Sequence, residues 1–498
     1  MFKENIINPL VENILKSSNS NAFCINEKFY TYREFGEAIS GIRTLLKRAK
    51  FSNRNVGLVI NDDLSTYASI FALWMDGCAY VPLHPNWPIE RCQEIINQVK
   101  LDLILDSSEI TRYEGNIIDT MQYPKDQINL ECNKGESDDE IAYILFTSGS
   151  TGKPKGVMIS RNNVGAFMDS FWKTGILIDE KDRCLQCFDL SFDVSVQSYL
   201  VPLTKGACCY TVPNGQIKYV YAAGLIENHK LTFGAMAPSM IRFLKPYFDE
   251  IDMSSLKTSI LTAEASPLDL VEQWQKVAMN ADIYDFYGPT EATIYCTCYK
   301  LNSGGNNKAL NGMVSIGRGM HNVKTIIIDD GKKLLSIGEK GELCVAGPQL
   351  SLGYFQNLQK NSEAFFDMVY DGELTRFYHT GDLCYMDEDG DIMYSGRIDH
   401  QAKIQGYRVE MGEIENHARE FIGDINVVCM PYENKAGITE IAMFIESAPF
   451  PTDDLKSFLK SKMPQYMIPH HIQFEQVFPI NGNAKIDKVA LKSNLKLK

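Results

Sequence analysis

With 498 residues, 45% of them hydrophobic and 22% charged, the chain is long enough for more than one folded unit and carries no compositional mark of disorder. A formal net charge of −14 argues against a general binder of nucleic acid or anionic membrane, so neither nucleic acid nor membrane insertion is expected. The 13 cysteines follow no regular spacing and the start, Met1-Phe2-Lys3-Glu4-Asn5, lacks the apolar core of a signal peptide, so free thiols and a cytoplasmic location are expected.

The elements alternate from the start. A helix over 11–16 and a short strand over 29–32, in which Thr31 can cap the next helix, lead to a strand over 56–60, a helix over 64–75 and a strand over 79–81 that Pro82 is expected to stop. The most continuous apolar stretch, 67–83, is broken by Asp76, Gly77 and Pro82 and makes a poor bilayer span. The rhythm resumes with a strand over 141–146, a helix over 162–172, a strand over 184–188, a helix over 194–201 and strands over 207–212, 231–236, 259–261 and 282–284. Such alternation predicts an α/β fold with parallel or mixed sheets flanked by helices, in which ligands bind beyond the carboxyl ends of strands. A compact tail follows residue 399, with a helix over 412–421 and strands over 425–430 and 438–445, and reads as a small α+β domain. The expected division is therefore 1–398 and 399–498. Cys184-Leu185-Gln186-Cys187 offers half of a zinc site, but Cys208 and Cys209 are adjacent where a second spaced pair is needed, so zinc is not expected.

The chain is organised around Thr147-Ser148-Gly149-Ser150-Thr151-Gly152-Lys153-Pro154-Lys155-Gly156, set between two strand-like runs. Gly149, Gly152 and Gly156 permit the backbone conformations that turn successive N–H groups toward an anion, the hydroxyls add donors, and Lys153 and Lys155 add charge. A polyphosphate suits this loop, although no Gly-Lys-Ser/Thr opens a helix as a Walker loop requires. A second run, Tyr287-Gly288-Pro289-Thr290-Glu291, combines an aromatic face, a turn, a hydroxyl and a carboxylate, which suits a purine, a phosphate and a magnesium ion. Three further strings follow: Tyr378-His379-Thr380-Gly381-Asp382-Leu383, then Gly396-Arg397-Ile398-Asp399, and finally Asn483-Ala484-Lys485.

These five strings, in this order, resemble the motifs of the adenylate-forming superfamily, which includes acyl-CoA synthetases, luciferases and nonribosomal peptide adenylation domains. The resemblance implies ATP and Mg²⁺ as cofactors and a small C-terminal domain that is mobile. It places nucleotide contacts at Thr147, Ser148, Gly149, Ser150, Thr151, Gly152, Lys153, Tyr287, Thr290, Asp382 and Arg397. It makes Glu291 the metal ligand, Asp399 the hinge and Lys485 the catalytic residue. Asp285 stands where the family usually has Asn, His379 where Arg is common, and Ala484 where Gly is usual.

Substrate class rests on the run Phe188 to Ser195, whose match to amino-acid adenylation domains puts Asp193 where a carboxylate meets the substrate ammonium; the alternative is that Asp193 caps the next helix. Val194, Gln197, Ala235, Leu261, Ala263, Phe286, Ile294 and Tyr295 match the other pocket positions by spacing. The expected activity is conversion of an amino acid to its aminoacyl-adenylate, followed by transfer to the phosphopantetheine thiol of a carrier protein supplied in trans. Size and the Glu264 position also resemble stand-alone ligases that load D-alanine onto a carrier. An acyl-CoA synthetase and a non-catalytic nucleotide-binding relative remain as other classes. The lysines at 456, 460, 462, 488, 492, 496 and 498 make the tail locally basic, which suits an acidic carrier or merely a solvated surface.

Overall fold

A computed structural model describes the chain except for residues 126, 133–139, 150–152, 399–400, 424, 481–485 and 497–498, together with the side chain of Val489. The chain divides into two compact units: Met1–Pro85, Val99–Leu145 and Gly156–Ile398 form one, and Asn86–Gln98, Phe146–Lys155 and Asp399–Lys498 form the other. Asp399 and Lys485 themselves lie outside the described residues.

In the first unit a nine-stranded sheet runs in the order Arg318–Gly319, Thr297–Lys300, Asp282–Tyr287, Thr258–Thr262, Phe233–Met236, Arg183–Gln186, Cys208–Thr211, Asn21–Ile25 and Lys28–Thr31. From Asp282–Tyr287 to Asn21–Ile25 the neighbours are parallel, and the outermost pairings on both sides are antiparallel. A seven-stranded sheet has the order Gly353–Tyr354, Lys155–Ser160, Ile141–Thr147, Ala79–Leu83, Asn55–Val59, Ile104–Asp106 and Ile117–Asp119. Helices flank both sheets, so the fold is α/β with mixed sheets.

Local chemistry explains the elements. Thr31 accepts the N–H of Glu34 while the Glu34 carboxylate accepts the N–H of Thr31, a reciprocal cap that starts the helix Tyr32–Arg48. Asp63 accepts the N–H of Thr66 at 2.7 Å and starts the helix Leu64–Met75, which is buried almost all round, as its lack of a polar face requires. From that helix Trp74 donates Nε1–H to the carbonyl of Ala142 at 2.8 Å, fixing the strand that leads into the glycine loop.

Most element boundaries differ from the sequence expectation by one to three residues, and at three elements the physical reason is visible. The strand Ala79–Leu83 continues past Pro82, which pairs in register with Leu58, while the pairing toward Ile141–Thr147 is made at Tyr80 and Tyr143, before the residue that lacks an N–H. The helix Asp193–Lys205 runs through Pro202; the carbonyl of Ser198, four residues back, loses its helical donor and accepts the thiol of Cys209 instead. The strand Asp282–Tyr287 extends beyond Tyr284 because Thr297–Lys300 pairs antiparallel with it from Tyr284 to Tyr287.

A third sheet in the first unit orders Lys324–Ile328, Gly341–Ala346, Glu373–Met386 and Phe365–Tyr370, with Ile392–Arg397 also pairing with Glu373–Met386. In the second unit a hairpin, Gln401–Ile404 with Tyr407–Glu410, turns through Gln405 and Gly406, both at positive φ, and precedes the helix Met411–Ile422. The strands Val427–Glu433, Thr439–Glu446 and His471–Glu475 form its sheet. All 13 cysteines are free thiols, Cys187 donating to the carbonyl of Ala235 at 3.3 Å. Among the described residues no helix is long and apolar enough to cross a membrane.

Candidate active site

Strand ends supply the site of the first unit, as a parallel sheet leads one to expect. After Phe233–Met236 and Thr258–Thr262 the chain is tied across by Glu264, whose carboxylate accepts the N–H of Ser239 at 2.8 Å. After Asp282–Tyr287 comes Gly288, where a Cβ would lie 2.3 Å from the carbonyl oxygen of Ile294 and 2.7 Å from Cα of Tyr295. Only glycine allows that approach, which folds 288–295 back on itself.

Three residues from separate motifs meet at Asp382. Its Oδ2 accepts the Tyr287 hydroxyl at 2.5 Å and its Oδ1 accepts Nη1 of Arg397 at 2.7 Å. Arg397 faces it directly across the antiparallel ladder. Burial, then the charge of Asp382, holds the Tyr287 phenol well above its ordinary value, so it stays a neutral donor.

The fold-back brings Thr290, Glu291 and Ile294 to Asp193. Asp193 is the first residue of its helix, and its carboxylate is bonded by the Thr290 side chain and by the backbone N–H groups of Ile294 and of Val194, the last of these in its own helix. Its Oδ2 is buried with no hydrogen-bond partner among the described residues. Burial is the main cause, with the charge of Glu291 adding to it, of a carboxyl pushed up to about 6. Glu291 is fully buried and accepts the Tyr354 hydroxyl at 2.6 Å.

Of the pocket positions, Val194, Ala235, Phe286, Ile294 and Tyr295 share one hydrophobic cluster. The Phe286 and Tyr295 rings lie 4.9 Å apart, and the Tyr295 hydroxyl donates to Oε1 of Gln197 at 3.3 Å, leaving Nε2 of Gln197 without a partner among the described residues. Leu261 packs instead in the cluster of Met236 and Trp274, and the neighbouring Thr262 reaches Tyr295 through its side chain. Ala263, at φ 69, ends the strand in a left-handed conformation.

Sequence reading missed Gln349. Thr293 and Ile294 are β-branched yet both have positive φ, 57° and 72°, a conformation that persists only where the surroundings enforce it. Gln349 does so, donating Nε2–H to the carbonyl of Tyr295 at 2.6 Å while its own carbonyl accepts the Thr293 hydroxyl at 2.6 Å. Among single-residue signals only its polarity, between Pro348 and Leu350, marked it.

In the second unit the described part of the glycine loop holds an anion. The N–H of Gly149 donates to Oε2 of Glu413 at 3.0 Å, and Oε1 of Glu413 accepts Nη1 of Arg91 at 2.6 Å. Ser148 donates to the carbonyl of Arg408 and accepts the N–H of Glu410, and Lys155 lies 3.3 Å from the Glu410 carboxylate. A Cβ on Gly149 would sit 2.0 Å from the carbonyl oxygen of Lys153, so the loop closes there only with glycine. Thr147 is half-buried and Lys153 exposed; Ser150, Thr151 and Gly152 are outside the described residues.

Residues 12–355 match the family model described as AMP-binding enzyme. Against three large synthases the chain is 29% to 31% identical but spans only 7% to 13% of the relative's length. Zwittermicin A synthase ZmaJ of Bacillus cereus is 30% identical over 497 residues, covering 96% of this chain and 93% of the relative. The structure of the adenylation domain AlmE from Vibrio cholerae in complex with glycyl-adenosine-5'-phosphate is similar with a TM-score of 0.84 and 26% identity, covering 99% of this chain and 97% of that one. Holo-PA1221, a nonribosomal peptide synthetase protein containing adenylation and PCP domains, shares the fold with a TM-score of 0.86 at 20% identity, covering 99% of this chain and 84% of that one.

Proposed function

Because this chain belongs to the AMP-binding enzyme family, and so to the adenylate-forming superfamily of ATP-dependent ligases, we propose that it activates an amino acid as the aminoacyl-adenylate and passes the aminoacyl group to the phosphopantetheine thiol of a separate carrier protein. The observation that carries the amino-acid reading is Asp193, a buried carboxylate with one oxygen unpartnered among the described residues. A carboxylate kept in that state is costly unless a cation arrives, and a substrate ammonium supplies it.

In the first step an oxygen of the substrate carboxylate attacks the α-phosphorus of ATP, the bond to the bridging oxygen breaks and pyrophosphate leaves. Asp382 takes the ribose hydroxyls, aligned by Tyr287 and Arg397, and the Tyr287 ring also offers a face to adenine. Thr290, bonded to Asp193, would touch the α-phosphate next to the site of the substrate ammonium. Two buried carboxylates, Asp193 and Glu291, raise each other's cost, and a hard divalent cation beside Glu291 fits that arrangement. Mg²⁺ held there would offset the charge of the phosphates. Lys485 is assigned the bridging charge between carboxylate and phosphate. In the second step the carrier thiol attacks the adenylate carbonyl and AMP leaves, with 399–498 as the domain that turns about Asp399 between the steps.

Pyrophosphate exchange with ATP, run across the proteinogenic amino acids and D-alanine with fatty and aryl acids as controls, tests the reading. A response to one amino acid, lost in Lys485→Ala while ATP still binds, is the expected result. Response to the fatty or aryl acids alone would move the chain to the acyl-CoA synthetases, and silence throughout would make it a non-catalytic relative.

A further inference from the structure

Asp382 sits at the end of a turn, Thr380-Gly381-Asp382, where the pairing of Glu373–Met386 with Gly341–Ala346 is interrupted by a bulge between Glu342 and Cys344. Three hydrogen bonds shape the turn. The Thr380 hydroxyl donates to the carbonyl of Leu343 at 2.7 Å and accepts the N–H of Asp382 at 3.1 Å. The N–H of Gly381, itself at φ 71, donates to Oε1 of Glu342 at 2.8 Å. Glu342 is therefore the side chain that spans the bulge, and its second oxygen, Oε2, lies 2.7 Å from Nδ1 of His379.

His379 occupies the position where the resemblance led one to expect arginine. Its ring rests on Phe366 with centroids 4.3 Å apart, and Cys344, directly opposite in the ladder, brings Sγ to 3.6 Å from the same Nδ1. A carboxylate only accepts, so Nδ1 carries the proton in this bond. Burial, then the charge of Glu342, holds the Cys344 thiol far above its ordinary value, so the thiol stays protonated beside the bonded pair of Glu342 and His379.

We propose that His379 and Glu342 are positioning residues for nucleotide selection: His379 fixes the Glu342 carboxylate, Glu342 fixes the N–H of Gly381, and the turn thereby aims Asp382 at the ribose hydroxyls. The inference rests on the reading of Asp382 as the ribose ligand. A bidentate carboxylate tied at both oxygens defines the bulge far more tightly than one tied at a single oxygen. His379 itself touches no substrate.

The test compares amino-acid-dependent pyrophosphate release from ATP and from 2′,3′-dideoxy-ATP in the wild type, His379→Phe and His379→Asn. Phenylalanine keeps the stacking on Phe366 and removes the donor; asparagine places an amide N–H where Nδ1 was. The expected result is a rise in KM for ATP of about tenfold in His379→Phe with kcat held, little change with the dideoxy nucleotide, and recovery in His379→Asn. An equal loss on both nucleotides in His379→Phe, or no loss on either, overturns the inference while leaving Asp382 in its role. A wild type indifferent to the missing hydroxyls overturns the reading of Asp382 and the inference with it. If His379→Phe does not fold, His379→Ala takes its place in the same comparison.

Discussion

The hydroxyl of Tyr287 and the carboxylate of Asp382 are 2.5 Å apart although 95 positions separate them in the chain. With Arg397 on the other oxygen, the carboxylate is gripped from both sides and its orientation is set before any ligand arrives. Tyr287→Phe keeps the ring and removes one charge-assisted hydrogen bond, typically about 1.5–3 kcal/mol, so KM for ATP is expected to rise roughly ten- to a hundredfold. Exchange rates measured against ATP concentration check this. An unchanged KM would mean that the hydroxyl does not orient Asp382.

Asp193 gives a pH dependence with a defined sign. Its carboxyl titrates at about 6 in the folded protein against an ordinary 3.8, so the folded state holds the proton more tightly. Stability from this group is present below the ordinary value and is lost as pH rises from about 4 to about 6, by roughly 3 kcal/mol in all. Asp193→Asn is therefore expected to melt higher than the wild type at pH 7.5, with the difference fading toward pH 4, and to lose exchange at every pH. In the wild type, substrate affinity should fall as pH drops through about 6. Melting curves at three pH values decide the matter, and an asparagine variant less stable at pH 7.5 would contradict it.

The contrast between Tyr287 and Gln349 shows what was legible before the structure. Tyr287, Asp382 and Arg397 lie in short strings whose composition states a chemistry, so their positions could be named one by one, and the fold then joins them. Glu342, Gln349 and Tyr354 sit in strands and loops with no local signature; their partners, Gly381, Tyr295 and Glu291, are 39, 54 and 63 positions away. Alternation along Thr258–Thr262 sends neighbouring side chains to opposite faces, so Ile260 and Leu261 fall in different clusters. Pro82 likewise reads as a stop, and the expected helix ends at 201 just before Pro202, because whether a missing N–H matters depends on a neighbour that sequence does not display.

Gln349 carries the next expectation. Thr293 and Ile294 are held in a conformation that costs L residues about 1–2 kcal/mol each, and the Ile294 N–H bonds Asp193 from within it. Gln349→Ala removes the brace and leaves the carbonyl of Tyr295 without its 2.6 Å donor, so a loss of about 1–3 kcal/mol in stability is expected. Released backbone would also misplace the Ile294 N–H, and KM for the amino acid should rise more than KM for ATP. Equal effects on both constants would reduce Gln349 to a general structural role.

In the second unit, Arg91 and Glu413 form an ion pair at 2.6 Å with both side chains almost wholly buried. Burial is the largest single influence and opposes charge on Arg91, but the charge and hydrogen bond of Glu413 together with Tyr466 and Glu94 outweigh it, leaving the guanidinium above its ordinary value. Breaking such a pair from one side strands a buried charge, so Glu413→Ala and Arg91→Ala are each expected to cost about 3–5 kcal/mol. Glu413→Gln, which keeps an acceptor for the Gly149 N–H at 3.0 Å, should cost less than Glu413→Ala. Arg91→Met with Glu413→Leu should recover much of either loss, because the paired apolar replacement leaves no charge to desolvate. Urea titrations of the four variants provide the comparison, read at the transition of the second unit. Single losses below about 1 kcal/mol, the range of exposed pairs, would show that the contact is not held in solution.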